Sequence, residues 1–331
     1  MKYRKLGKTE LLVSEIGIDA WQLGGPLMLD GNAGRHPEID SDSCVKLIQQ
    51  CSDLGINFVD TAEQYGSGES ERRIGKALKG RRERWIVSTK FGSQVGPHGE
   101  RVRDASPKQV QVSLEGSLQR LQTDYLDVYV WDISPTPGEA EEVAKYLAAA
   151  KQKGQVRAVG IATANLADLE FLHSLGCLDV VQFPHSMIGP SNPIVDFVAK
   201  RDIGGVVCGA FADVRLTGDS LHKPPQFGAQ DIQNTQPDVQ GLTADFARYA
   251  LFEEMLLPWR GIIQLALRWL LDEPTTDVII IGGKSLEEYR QAVCATELPP
   301  LTQSERARIK QFENPETYRE KPLSRLITDN F

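Results

Sequence analysis

No stretch of this 331-residue chain holds about 18 consecutive apolar residues, the length an α-helix needs to cross a bilayer. The opening "MKYRKLGKTELLVSEIG" likewise has no continuous apolar core of the kind a secretory leader carries. Cysteine is sparse and scattered: Cys44, Cys51, Cys177, Cys208 and Cys294 form no CxxC pair and no cluster with histidine, which argues against a disulfide framework or a structural zinc site. His98, His173, His185 and His222 also lack metal-ligand spacing, so no metal is expected. Basic charge is short as well. With 37 Lys+Arg against 45 Asp+Glu the net charge is −8, and neither a nucleic acid nor an anionic membrane is drawn to such a body. These absences predict a reduced, soluble, cytoplasmic protein whose partner is a small molecule; they leave the oligomeric state open.

What the chain does have is a repeated alternation. Short β-branched runs stand at 14–18, 57–60, 84–90, 126–131, 156–162, 178–183, 204–209 and 277–283. They are apolar at consecutive positions rather than alternate ones, as parallel strands buried on both faces are. Amphipathic helical stretches lie between them, at 41–55, 106–122, 138–154, 165–176, 192–204 and 285–295, with a further start near Glu69 after the turn "GSGES". Ser106-Pro107 suits an N-cap and first turn, and Gly55 a helix stop. Eight such units in one chain of this length predict a single α/β domain, a (β/α)8 TIM barrel over residues 1–300. An open sheet with extra strands is the competing arrangement.

Two segments break the rhythm. Residues 211–242 are polar and rich in Pro, Gly and Gln, too long for a plain connection, and follow the seventh strand on the face where barrel active sites form. Residues 301–331 run on as a helix and an irregular tail, expected to pack on the barrel.

In a barrel the C-terminal ends of the strands converge on one pocket. Here those ends carry Asp60 and the nearby Tyr65, then Lys90, Asp132 and Gln182, with Lys284 just past the eighth strand. A lysine beside a tyrosine favours the phenolate, and an aspartate keeps that lysine charged. A phenol tuned in this way can hand a proton to a carbonyl oxygen while hydride reaches the carbon. Singly, each residue also has a plain structural reading: a capped turn, a loop aromatic, a solvated charge. Trp21, Phe91 and Trp131 are placed on the βα loops and are expected to line an apolar or sugar-stacking substrate pocket. The basic run "KGRRERW" reads as a solvated helix end.

The stretches "GINFVDTAEQYGSGESERRIGKAL", "RERWIVSTKFG" and "SLEGSLQRLQTDYLDVYV", with the opening "YRKLGKTELLVSEIG", closely resemble the aldo-keto reductase superfamily, from about residue 2 to residue 298. The resemblance implies a (β/α)8 barrel that uses NAD(P)H without a Rossmann domain. It also implies a catalytic tetrad in which Asp60, Tyr65 and Lys90 fill three places, Tyr65 as proton donor. The fourth place, usually His, is Asp132. Members with Glu there are associated with reduction of activated C=C bonds, which makes enone reduction an alternative, with Asp132 as a neutral acid.

Other departures gather around the nicotinamide. Ala162 and Thr163 stand where Ser-Asn is common, Gln182 is retained, and the stacking aromatic falls on Cys208 or Gly209, with Phe211 as a substitute. The resemblance implies that "IIIGGKSLEEYRQAV" holds the adenosine end, with Lys284, Ser285 and Arg290 suiting a 2′-phosphate and hence NADPH over NADH. Glu288 stands where some members have Gln, and Ala292 or Cys294 where an asparagine often faces the adenine. So many departures also admit a barrel that has lost turnover and serves as a binding or regulatory protein.

Overall fold

The computed structural model describes residues 1–25, 27–29, 32–34, 40–188, 192–212, 216 and 250–311. Eight parallel strands close into a barrel: β1 (Ile16–Asp19), β2 (Phe58–Asp60), β3 (Ile86–Phe91), β4 (Leu126–Trp131), β5 (Val156–Ala162), β6 (Val180–Pro184), β7 (Gly204–Cys208) and β8 (Val278–Ile281). Each strand pairs with its neighbours in sequence, and β8 closes on β1 with Ile281 opposite Ile18. Among the described residues the α-helices are α1 (Ser41–Asp53), α2 (Glu69–Leu78), α3 (Pro107–Leu121), α4 (Glu139–Gln152), α5 (Leu166–Ser174), α6 (Pro193–Ala199), α7 (Ile262–Leu271), α8 (Leu286–Glu297) and α9 (Gln303–Gln311).

Strand geometry sends alternate residues to opposite sides, and the two sides form separate apolar clusters. Phe58, Ile86, Val128, Val130, Ala158, Val180, Val206, Val278 and Ile280 fill the barrel interior. Val59, Val87, Phe91, Tyr129, Trp131 and Ile161 face outward and pack against the helices. A hairpin of Tyr3–Lys5 with Leu12–Ser14 forms the floor, inserting Leu6, Leu11 and Val13 into the interior cluster. A third cluster joins Ile309 and Leu301 of the C-terminal segment to Phe252, Met255, Leu265 and Ala266.

Several elements differ from the sequence expectation. The floor hairpin, a second hairpin of Ser93–Val95 with Arg101–Arg103, and helix α7 were not anticipated. The run "KGRRERW" is not simply solvated: Arg82 donates to Asp127 Oδ2 at 2.7 Å and to the carbonyls of Trp85 and Tyr125 at 2.8 and 3.0 Å. Apart from Phe211, Ala212 and Leu216, the segment 211–242 lies outside the described residues, as does the tail beyond Gln311. No helix among the described residues is long and apolar enough to cross a membrane.

Candidate active site

Asp60 ends β2 with no solvent exposure. Its Oδ1 accepts from the Ser88 hydroxyl at 2.8 Å, and its Oδ2 forms an ion pair with Lys90 Nζ and accepts from Gln182 Nε2 at 3.3 Å. Lys90, buried near the end of β3, also donates to the Thr61 carbonyl at 3.1 Å and to the Tyr65 hydroxyl at 3.3 Å. Burial alone would lower the lysine pKa. The facing carboxyl groups, Asp60 first and then Asp132, outweigh it and hold the ammonium above its usual range.

Tyr65 is reached through a tight turn that depends on glycine. Gly66 has φ +60° beside the backbone of Gly24, and an added Cβ would lie 2.0 Å from the Gly24 carbonyl oxygen. The expected lowering of the Tyr65 pKa is not what the geometry gives. Burial raises it, Lys90 pulls it back, and Asp19, Asp60 and Asp132 raise it again, so the phenol is held protonated.

Asp19, missed in the sequence, belongs to the same group. It ends β1 directly opposite Asp60 in the strand register, and its Oδ1 accepts from the Trp21 N–H at 3.0 Å. Burial pushes its carboxyl up to about 6, with Asp60 adding and Lys90 pulling back. Its signal in the sequence was positional: both aspartates are the last residues of adjacent strands.

Asp132 continues the β4 ladder, its N–H donating to the Phe91 carbonyl at 2.9 Å. Burial pushes its carboxyl up to about 6, opposed by Lys90 and by Arg101 and Arg103 of the second hairpin. Gln64 Nε2 donates to its Oδ2 at 2.5 Å. Cys208, at the end of β7, is a neutral thiol pushed up to about 12 by burial and by Asp19 and Asp60.

Two expected pocket residues are elsewhere. Phe91 and Trp131 are buried in the layer between strands and helices, with ring centroids 4.9 Å apart. The reason is parity: Lys90 points into the barrel mouth, so its neighbour Phe91 points out, and the same holds for Asp132 and Trp131. Trp21, 37% exposed, follows the end of β1 at the mouth. Phe211 is half-buried, wedged between the outer core and the third cluster.

The positions assigned to a dinucleotide are arranged as follows. Gln182 is buried, and its Oε1 has no hydrogen-bond partner. Thr163 is already committed: its hydroxyl donates to Asp168 Oδ2 at 3.1 Å, which also takes Ser134 at 2.9 Å. At the start of α8 the Ser285 hydroxyl accepts from the Glu288 N–H at 3.3 Å, and Glu288 Oε2 accepts from the Lys284 N–H at 2.7 Å. Arg290 is exposed and pairs with Glu287 at 3.7 Å.

Comparison with known proteins finds both sequences and structures similar to this chain. The family model described as "Aldo/keto reductase family" matches residues 16–314. An aldo-keto reductase of Bacillus subtilis is 27% identical over 296 residues, covering 86% of this chain and 85% of its own length. A protein of Escherichia coli named NADH-specific methylglyoxal reductase is 27% identical over 322 residues, covering 89% and 93%. Among solved structures, the holo form of an aldo-keto reductase from Bacillus halodurans superposes with a TM-score of 0.78 at 26% identity, covering 95% of this chain and 97% of that one.

Proposed function

The chain belongs to the aldo/keto reductase family, and from that premise we propose that it reduces the carbonyl of an aldehyde, ketone or sugar-like substrate, with Tyr65 giving the proton to the carbonyl oxygen. A nicotinamide dinucleotide supplies the hydride when bound. The observation that carries this reading is the Tyr65 hydroxyl 3.3 Å from Lys90 Nζ, with that lysine paired to buried Asp60. A phenol held protonated is ready to donate, and the adjacent ammonium stabilises the phenolate as the proton leaves. Asp60 keeps the ammonium charged in a buried site. The unpartnered Oε1 of Gln182 fits an amide N–H of the carboxamide, while Thr163 is occupied by Asp168. Trp21 offers a stacking face at the mouth.

Asp132 supports a second reading, reduction of an activated C=C bond. A carboxyl pushed up to about 6 is partly protonated near neutrality and can donate a hydrogen bond to an enone carbonyl. On the cofactor, Lys284, Ser285 and Arg290 support NADPH through a helix N-terminus suited to phosphate. Glu288 supports NADH instead, because its carboxylate occupies the Lys284 N–H that such a phosphate would use.

Quenching of the five tryptophans on titration with NADPH and, separately, NADH tests the cofactor reading. Saturation by one at a lower concentration assigns the preference. Saturation by neither in a folded protein sinks the oxidoreductase reading in favour of a non-catalytic barrel. Given binding, methylglyoxal and a simple enone serve as first substrates, and Tyr65→Phe is expected to lower kcat for the carbonyl by ~10²–10⁴.

A further inference from the structure

The geometry points to Gln64 as the residue that positions Asp132, fixing which of its oxygens carries a proton. The inference rests on the carbonyl or enone reading of the same site for its consequence in turnover, but not for its chemistry.

Gln64 is the residue before Tyr65 in the turn after β2, and both ends of its amide are engaged. Its Nε2 donates to Asp132 Oδ2 at 2.5 Å, and its Oε1 accepts from the Ser93 hydroxyl at 2.9 Å. Ser93 is buried at the start of the hairpin that follows β3. The next residue of that hairpin holds the preceding residue of the turn: Gln94 Nε2 donates to Glu63 Oε1 at 3.1 Å, and Ser113 of α3 donates to the same oxygen at 2.9 Å. The turn is therefore fastened at Gln64 and at the residue before it, and one peptide unit further on it delivers Tyr65 to Lys90.

A carboxyl group that accepts through Oδ2 carries its proton on Oδ1. Gln64 thus dictates the face from which a neutral Asp132 donates. An amide N–H also favours the ionised carboxylate, since a hydrogen bond to the charged form lowers a pKa. It acts alongside the charges that face this group, Asp60 on β2, Lys90 on β3, and Arg101 and Arg103 on the hairpin, and beside the neutral phenol of Tyr65 in the turn. Those charges stay in place when Gln64 is replaced, so the effect of the amide can be read separately.

Carboxyl-labelled aspartate NMR measures this without turnover, the Asp132 resonance being the one lost in Asp132→Asn. In the wild type it is expected to titrate with a midpoint near 6. In Gln64→Leu the midpoint is expected to rise by about 1–2 pH units, the worth of one charge-assisted hydrogen bond. Ser93→Ala keeps the amide but frees it, and a smaller rise is expected there; it also covers the case in which Gln64→Leu does not fold. A midpoint unmoved in both variants overturns the positioning role, whatever the activity. Kinetics separate the two claims: a midpoint that moves while the wild type reduces no carbonyl or enone leaves the positioning standing and removes the reaction assigned above. Where turnover is present, the high-pH fall of kcat/KM is expected to move upward with the NMR midpoint in Gln64→Leu.

Discussion

Asp19, Asp60 and Asp132 surround one buried ammonium, Lys90, and the pair that wins it is decided by contact. Asp60 is ion-paired with the lysine and hydrogen-bonded by Ser88, so its charge is matched on both oxygens. Asp19 and Asp132 interact with the same lysine without an ion-pair contact to it, and burial raises their carboxyls from the ordinary 3.8 to about 6. A group that works as a neutral acid loses its function as pH climbs through its folded pKa. Where Asp132 acts as the neutral acid, enone reduction is accordingly expected to fall as pH rises past about 6, and Asp132→Asn, which cannot ionise, should lose that limb. A pH profile of kcat/KM for the two proteins checks it. A limb that survives in Asp132→Asn and vanishes in Asp19→Asn assigns the titration to Asp19 instead.

The elements that carry these side chains differ in how openly the sequence declares them. Strands β4 and β5 coincide with the apolar runs 126–131 and 156–162, because no polar residue stands at their inner positions; Asp127 and Arg157 fall on the outward parity. Helix α7 escaped notice although "IIQLALRWLL" does carry a helical contrast, with Gln264 and Arg268 one turn apart on an otherwise apolar segment. The floor strands are only three residues each, too short for an alternation to register. Asp60, Tyr65 and Lys90 were legible from strand ends, whereas Phe91 and Trp131 were misplaced by ignoring the parity of their own strands. The turn between β2 and α2 is the element most exposed to a single substitution. In Gly66→Ala the left-handed φ and the overlap with the Gly24 carbonyl act together, at a cost of about 1–3 kcal/mol. Because Tyr65 is the adjacent residue, kcat should fall further than the loss of stability explains, and a kcat measurement beside a thermal melt separates the two. Retained kcat with a lowered Tm would show that the turn relaxes without moving the phenol.

At the scale of the whole molecule the barrel divides its labour between two ends: chemistry at the strand mouths, stability at the floor. The floor hairpin is tied down by Asp277, whose Oδ2 accepts from the Gly7 N–H at 3.0 Å and from the Gly205 N–H at 2.9 Å, joining the plug to β7. Arg4 reinforces it by donating to the carbonyls of Thr276 and Leu271 at 2.7 and 2.6 Å. Removing the acceptor in Asp277→Ala leaves both amides unpaired, which should cost about 2–4 kcal/mol and appear as a lower urea midpoint with an unchanged slope. Asp277→Asn separates the hydrogen bonds from the charge, since an amide oxygen accepts the same two bonds without ionising. Burial pushes the Asp277 carboxyl up to about 6, so its folded pKa lies above the unfolded value of 3.8 and the folded state holds the proton more tightly. Its contribution to stability is therefore full below the unfolded pKa and is lost as pH rises from 3.8 towards 6. At neutral pH Asp277→Asn should equal or exceed the wild type while Asp277→Ala falls well short, and both should keep the wild-type kcat. An asparagine variant as unstable as the alanine one would mean that the charge of Asp277, through its neighbour Arg4, holds the floor rather than its two hydrogen bonds.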